Sequence, residues 1–140
     1  MDNSITSLGL MSGTSLDGID ASIINSDGKS HLEVKANQFY QYKSDFKQKL
    51  RDYIKNINSI EDIENSITEY KNLEKEITLL HSDISKKIIS NQSIEVDLVG
   101  FHGQTIIHKP RKKYSIQMGN GKLLSQLLKV DVVFKFRVSI

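Results

Sequence analysis

Cysteine is absent from this chain of 140 residues. That excludes a disulfide framework, thiolate chemistry and any cysteine-ligated zinc site. Proline occurs once, at position 110, in a stretch that reads as a turn, and neither a linker nor an internal repeat interrupts the chain. An excess of one charge is lacking too. Nineteen Lys and Arg stand against 17 Asp and Glu, a net charge of +2, so no strong field points to nucleic acid. The one basic cluster, Lys109-Pro110-Arg111-Lys112-Lys113, reads as a solvated turn between strands. No apolar run approaches the length of a membrane span. The opening Met1-Asp2-Asn3-Ser4 carries neither a basic region nor an apolar core of a secretion signal, and the expectation is a cytoplasmic protein. Arginine is confined to positions 51, 111 and 137 amid heavy use of Ile and Lys, which looks like codon bias. The length suits one domain with a modest core.

What is present alternates between two periodicities. Apolar runs at 7–11 and 19–24 predict two strands, and Asn25-Ser26-Asp27-Gly28 a turn after them. Residues 32–40 predict a third strand, polar enough for a sheet edge. Ser44 is placed to cap a helix reaching about Ile57, with Phe46, Leu50, Tyr53, Ile54 and Ile57 on its apolar stripe. From Ile60 to Ile88, Ile63, Ile67, Tyr70, Leu73, Ile77, Leu80 and Ile84 recur at threes and fours. This predicts one long amphipathic helix or two abutting ones ending near Asn91, packed on a sheet; a coiled coil is the competing reading. Residues 96–101 suit a buried strand, 105–108 and 114–118 a hairpin-like pair, 121–128 a short helix and 130–136 a closing strand. The fold class is α/β, a mixed sheet with flanking helices.

The chemistry concentrates between the first two strands. Gly9-Leu10-Met11-Ser12-Gly13-Thr14-Ser15-Leu16-Asp17-Gly18-Ile19-Asp20 joins them by a turn of small residues, hydroxyls and a carboxylate. Such a turn puts backbone N–H groups and hydroxyls at its tip, open to a phosphate. Asp17 is placed to hold a magnesium ion there, because Mg²⁺ takes oxygen ligands and stays partly hydrated beside phosphates. An ordinary hairpin turn rich in Gly, Ser and Thr is the alternative.

Four stretches in order carry a resemblance: Met11-Ser12-Gly13-Thr14-Ser15-Leu16-Asp17-Gly18-Ile19-Asp20, Phe101-His102-Gly103-Gln104-Thr105-Ile106-Ile107-His108-Lys109-Pro110, Ser115-Ile116-Gln117-Met118-Gly119, and Val132-Val133-Phe134-Lys135-Phe136-Arg137. Together they closely resemble the anhydro-N-acetylmuramic acid kinase family from about Ser7 to Arg137. The resemblance implies the first domain of an actin-like, RNase H-like kinase fold, incomplete within residues 1–140, with the second domain and most of the adenosine pocket missing. It implies phosphorylation of 1,6-anhydro-N-acetylmuramic acid, with ATP and Mg²⁺, to N-acetylmuramic acid 6-phosphate in cell-wall recycling. The implied partners are a nucleotide and an anhydro-amino sugar, with no nucleic acid and no membrane. By the same match Gly13, Thr14, Ser15, Leu16, Asp17, Gly18, Ile19 and Asp20 would contact ATP, with Asp17 on the metal side. His102, Gly103, Gln104 and Thr105 would form a loop facing the sugar. Beside that stands a plainer reading of His102, a buried imidazole bonded to a backbone carbonyl. His108 is read as structural, His31 and His81 as exposed.

Two departures stand against the match. Lys135 occupies the place of the family's general-base aspartate, and a lysine of ordinary pKa is protonated at neutral pH and accepts no proton. Asn120 stands where an acidic residue is usual. After Arg137 the chain leaves the pattern, which suggests a truncated product with exposed apolar surface on its last strand. The alternative functions are a non-catalytic remnant with at most weak nucleotide binding, and a helical interaction module built on the 60–88 stripe. Self-association or a complementing C-terminal fragment would complete the structure.

Overall fold

A computed structural model describes residues 3–135. The first three strands form an antiparallel meander: β1 (Ile5–Ser12), β2 (Gly18–Ser26) and β3 (Leu32–Gln41). Strand alternation puts Leu8 and Leu10 of β1 and Ile19, Ala21 and Ile23 of β2 on one face, all buried. Helices α1 (Ser44–Ile54), α2 (Ile60–Glu64) and α3 (Ile67–Gln92) follow. Then come β4 (Leu98–Lys109), a 3-10 turn over Pro110–Lys112, β5 (Tyr114–Met118), α4 (Gly121–Leu128) and β6 (Asp131–Phe134). Among the described residues the strand order is β3-β2-β1-β4-β5, with β6 also on β4. β1 and β6 run parallel to β4, and the other pairs are antiparallel. The sheet is therefore mixed, β3 lies at its edge, and the α/β expectation holds.

Several expectations shift. The first helix starts at Ser44 with Lys43 as its N-cap residue, so Ser44 does not cap it, and Ile57 is buried just beyond its end. The long apolar stripe takes the second of its two expected forms, abutting helices α2 and α3, which Ser66 separates by bonding the carbonyls of Asp62 and Ile63. Ile60 and Ile67, counted in that stripe, stand half exposed. The buried side of α3 instead carries Thr78, His81, Ser82 and Ser85 beside Leu73, Ile77 and Ile88. His81 is fully buried, a correction to its predicted exposure, whereas His31 is exposed as expected and His108 is exposed rather than structural. The predicted strands 96–101 and 105–108 are one strand, β4. The closing strand ends at Phe134, and Phe136 and Arg137 lie outside the described residues.

The second sheet face is bare of the helices. Register puts Met11, Gly9, Asp20, Ser22, Phe39, Gly100 and Val133 together on it. Met11, Phe39 and Val133 are each nearly half exposed. The exposed apolar side chains anticipated for the last strand thus also stand on β1 and β3 of this face.

Candidate functional site

Residues 13–17 connect β1 to β2 in a single tight turn, closed by a long Leu16 N–H to Gly13 carbonyl bond of 3.5 Å. Thr14 and Ser15 at its tip are exposed. Among the described residues no hydrogen bond takes up their backbone N–H groups. Leu16 closes the turn in left-handed backbone, φ 58, which a non-glycine residue adopts only when held there. Its side chain is buried and acts as the holding anchor. Nothing lies within 4 Å of where a Cβ on Gly13 would sit, so Gly13 leaves open space at the tip. Gly18 is a different case. A Cβ there would run into the Tyr40 carbonyl and lie 2.9 Å from the Phe39 ring, so β3 approaches only because the residue is glycine.

The segment predicted to meet a nucleotide therefore divides. Gly13, Thr14, Ser15 and Asp17 are accessible, Leu16, Gly18 and Ile19 are buried, and Asp20 is exposed on the bare sheet face. Asp17 accepts a hydrogen bond from Lys47 Nζ at 2.8 Å, and its backbone carbonyl accepts from Tyr42 N–H at 2.9 Å. The Lys47 bond and charge, with help from the Ser15 hydroxyl, hold the Asp17 carboxyl below the usual carboxylate range. It is an anion at neutral pH. Among the described residues no group of three or more His, Asp or Glu converges as a metal cage. One ionised carboxylate beside open amides nevertheless fits a magnesium ion that brings its own water and phosphate oxygens.

Beneath the turn lies a buried polar chain. His81 Nδ1 donates to the Ile77 carbonyl at 2.8 Å, which leaves Nε2 to accept from the Ser12 hydroxyl at 3.3 Å. Burial drives the His81 pKa down to about 4, so the ring is neutral. Its edge packs on the Phe101 ring, centroids 4.8 Å apart. The Tyr42 hydroxyl lies 3.2 Å from Ser12 Oγ and 2.9 Å from Gln104 Oε1. Burial pushes its pKa up to about 12, so it keeps its proton. Gln104 Nε2 donates to the carbonyls of Gly13 at 2.7 Å and Thr105 at 3.1 Å. Ser12 and His81 are joined like a nucleophile and its base, but both are sealed from solvent, so no substrate reaches them.

The predicted sugar-facing loop is not a loop. His102, Gly103, Gln104 and Thr105 lie within β4, all buried. The strand continues because Gly103, φ 82, bulges it; a Cβ there would lie 2.7 Å from the Met118 carbonyl. Before the bulge β4 pairs with β6, after it with β5. Gln104 and Thr105 turn toward β1, Thr105 Oγ1 donating to Gln117 Oε1 at 2.7 Å and approaching the Ser12 carbonyl at 3.4 Å. His102 Nδ1 pairs with the Gly103 carbonyl at 3.2 Å, as the plainer reading expected. His102 also lines a small recess with Phe101, Gln117, Gly119, Phe134 and Lys135, so the structure brings Lys135 beside the H-G-Q-T strand. Asn120, the second departure, caps α4: its side chain accepts from Leu123 N–H at 3.1 Å, a task asparagine and aspartate share.

Tyr42 and Lys47 were not singled out from the sequence, and His81 was read there as exposed. His81 had a legible signal, four residues after Ile77 and four before Ser85 on one helix face. Tyr42 lies between β3 and α1, where no period applies.

The family model for anhydro-N-acetylmuramic acid kinase matches residues 5–139. The chain is 50% identical over 137 residues to the anhydro-N-acetylmuramic acid kinase of Pelagibacter ubique, covering 98% of this chain and 36% of that protein. It is 34% identical over 133 residues to the one from Brucella canis, covering 93% and 36%. For the one from Rhodospirillum rubrum the identity is 33% over 136 residues, covering 97% and 35%. The chain thus spans about a third of the length of these curated relatives. With the hairpin turn, the H-G-Q-T strand and this match over nearly all its residues, the chain belongs to the anhydro-N-acetylmuramic acid kinase family.

Proposed function

We propose that the chain carries the phosphate-holding part of an ATP-dependent anhydro-sugar kinase, and that it binds Mg-nucleotide without turning over sugar. The observation that carries this reading is the exposed Thr14–Ser15 tip with its uncommitted N–H groups next to the ionised Asp17. In the family's reaction, as the resemblance implies it, water adds to the anomeric carbon and the bridging C1–O6 bond breaks. O6 takes the terminal phosphoryl group of ATP, ADP leaves, and a base accepts the proton that water gives up. Magnesium would supply charge neutralisation of the phosphates.

For this chain the tip amides would orient the phosphate oxygens, and Asp17 would hold the metal's hydrated side. No carboxylate stands at position 135 to accept the proton. Lys135 is exposed and no carboxylate is paired with it among the described residues, and a basic side chain has the wrong sign beside an oxocarbenium-like centre. This favours a non-catalytic chain, acting, if at all, with a complementing polypeptide.

Titration calorimetry with Mg-ATP tests the binding. Heat for the native chain, lost in Asp17→Ala, supports the reading; equal curves for both remove it. An assay for ADP release dependent on 1,6-anhydro-N-acetylmuramic acid tests the rest. Sugar-dependent release by the purified chain would overturn the non-catalytic part.

A further inference from the structure

We infer that Gln104 and Tyr42 are positioning residues that aim the Thr14 N–H outward by gripping the Gly13 carbonyl on the inside of the turn. This rests on the nucleotide reading of that turn. A peptide unit is planar and trans, so its C=O and N–H point in opposite directions. The Gly13 carbonyl and the Thr14 N–H belong to one such unit. Gln104 Nε2 draws that carbonyl inward at 2.7 Å, and the Thr14 N–H is thereby directed to solvent. Thr105 Oγ1, 3.4 Å from the Ser12 carbonyl, bears the same way on the unit before it. A carbonyl that already accepts a bond also polarises its own N–H toward a stronger donor.

The grip has one stable orientation. Nε2 of Gln104 faces two carbonyls, those of Gly13 and Thr105, so a flipped amide would set oxygen against both. The Tyr42 hydroxyl, 2.9 Å away, donates to Oε1 and fixes the amide from the other end. Tyr42 is in turn within reach of Ser12, whose hydroxyl is held by the neutral His81 of α3. Three separate elements therefore converge on the turn: the short link between β3 and α1, the middle of α3, and β4. Gln104 is fully buried and touches no surface from which a sugar could be bound. Two of the four residues of the H-G-Q-T stretch thus support the phosphate turn from behind.

The test uses the whole chain and two variants. Tyr42→Phe removes the hydroxyl that orients Gln104, and with it the contact to Ser12, while keeping the ring. Gln104→Glu keeps shape and the Tyr42 acceptor but sets a carboxyl oxygen against the Gly13 carbonyl. Ile88→Val, a core trim elsewhere on α3, is the control for lost stability alone. Amide NMR reads the Thr14 N–H resonance and its exchange rate without ligand, and calorimetry reads Mg-ATP affinity. Both variants are expected to shift and broaden the Thr14 resonance, with affinity lower by about ten-fold, the scale of one buried hydrogen bond left unmade; the control moves neither. A Thr14 resonance unchanged in Tyr42→Phe overturns the inference, and this variant decides should Gln104→Glu fail to fold. A native chain that binds no Mg-ATP, yet whose Thr14 resonance moves in Tyr42→Phe, upholds the positioning and sinks the nucleotide reading instead.

Discussion

Lys47 Nζ stands 2.8 Å from Asp17 Oδ1, and this pair ties the first turns of α1 to the end of the hairpin turn. Both side chains keep substantial exposure, so water screens the attraction and the pair adds little to stability. Its consequence is chemical. The bond from Lys47 is the largest cause of the lowered Asp17 pKa, with the Ser15 hydroxyl adding to it, and it occupies the Oδ1 oxygen.

Removing the lysine should therefore change titration and leave the fold alone. In Lys47→Met the Asp17 carboxyl is expected to titrate closer to the ordinary 3.8, with the unfolding midpoint in urea unchanged. Carbon-detected NMR of the Asp17 carboxyl across pH 2 to 6 measures it. A native Asp17 that already titrates at the ordinary value would refute the pairing.

The two glycines flanking the turn should behave oppositely. Gly13→Ala meets open space and is expected to unfold at the native urea concentration, because neither a clash nor left-handed backbone penalises it. Gly18→Ala drives a methyl into the Tyr40 carbonyl and should lose about 2 kcal/mol or more, since backbone cannot yield as a flexible side chain does. Chemical denaturation of the pair measures the contrast. Equal losses would mean that β3 does not approach Gly18 as the structure has it.

Much of this architecture was written locally in the chain. The apolar runs at 7–11 and 19–24 announce two strands, and the small residues between them announce the turn, because both signals depend only on near neighbours. The boundary at Ser66 and the unity of β4 were not legible. The first depends on a serine bonding carbonyls three and four residues back, the second on a glycine that bends a strand without ending it. The site was legible at its tip and hidden beneath. A motif shows which residues stand together in sequence, whereas Gln104 reaches Gly13 across 91 positions. The burial of His81 was missed because a helix stripe counted by apolar residues passes over the polar ones on the same face.

Asn120 offers a simple check on the second departure from the family. As the cap of α4 it accepts from Leu123 N–H, so Asn120→Ala should cost about 1 kcal/mol by urea denaturation. Asn120→Asp should match the native chain or exceed it, because a negative charge at a helix N-terminus is favourable. An alanine variant as stable as the native chain would show that the cap contributes nothing.

His81 gives the pH dependence. In the folded chain it is buried, neutral and titrates at about 4 rather than 6.5; its surroundings are Ser12, the Ile77 carbonyl, the Phe101 ring and, through its charge, His102. Between those two values the unfolded chain binds a proton that the folded chain refuses. Stability from this group is therefore intact above pH 6.5, falls as pH drops through that window, and is lost below about 4. The full loss is about 3 kcal/mol. Urea midpoints measured every half unit from pH 7.5 to 4.5 should fall for the native chain at constant m-value. His81→Gln removes the titrating ring, so its midpoint, although lower throughout, should run nearly flat across the same range. Parallel slopes in the two proteins would place the acid sensitivity elsewhere and would mean that His81 takes up its proton without leaving the core.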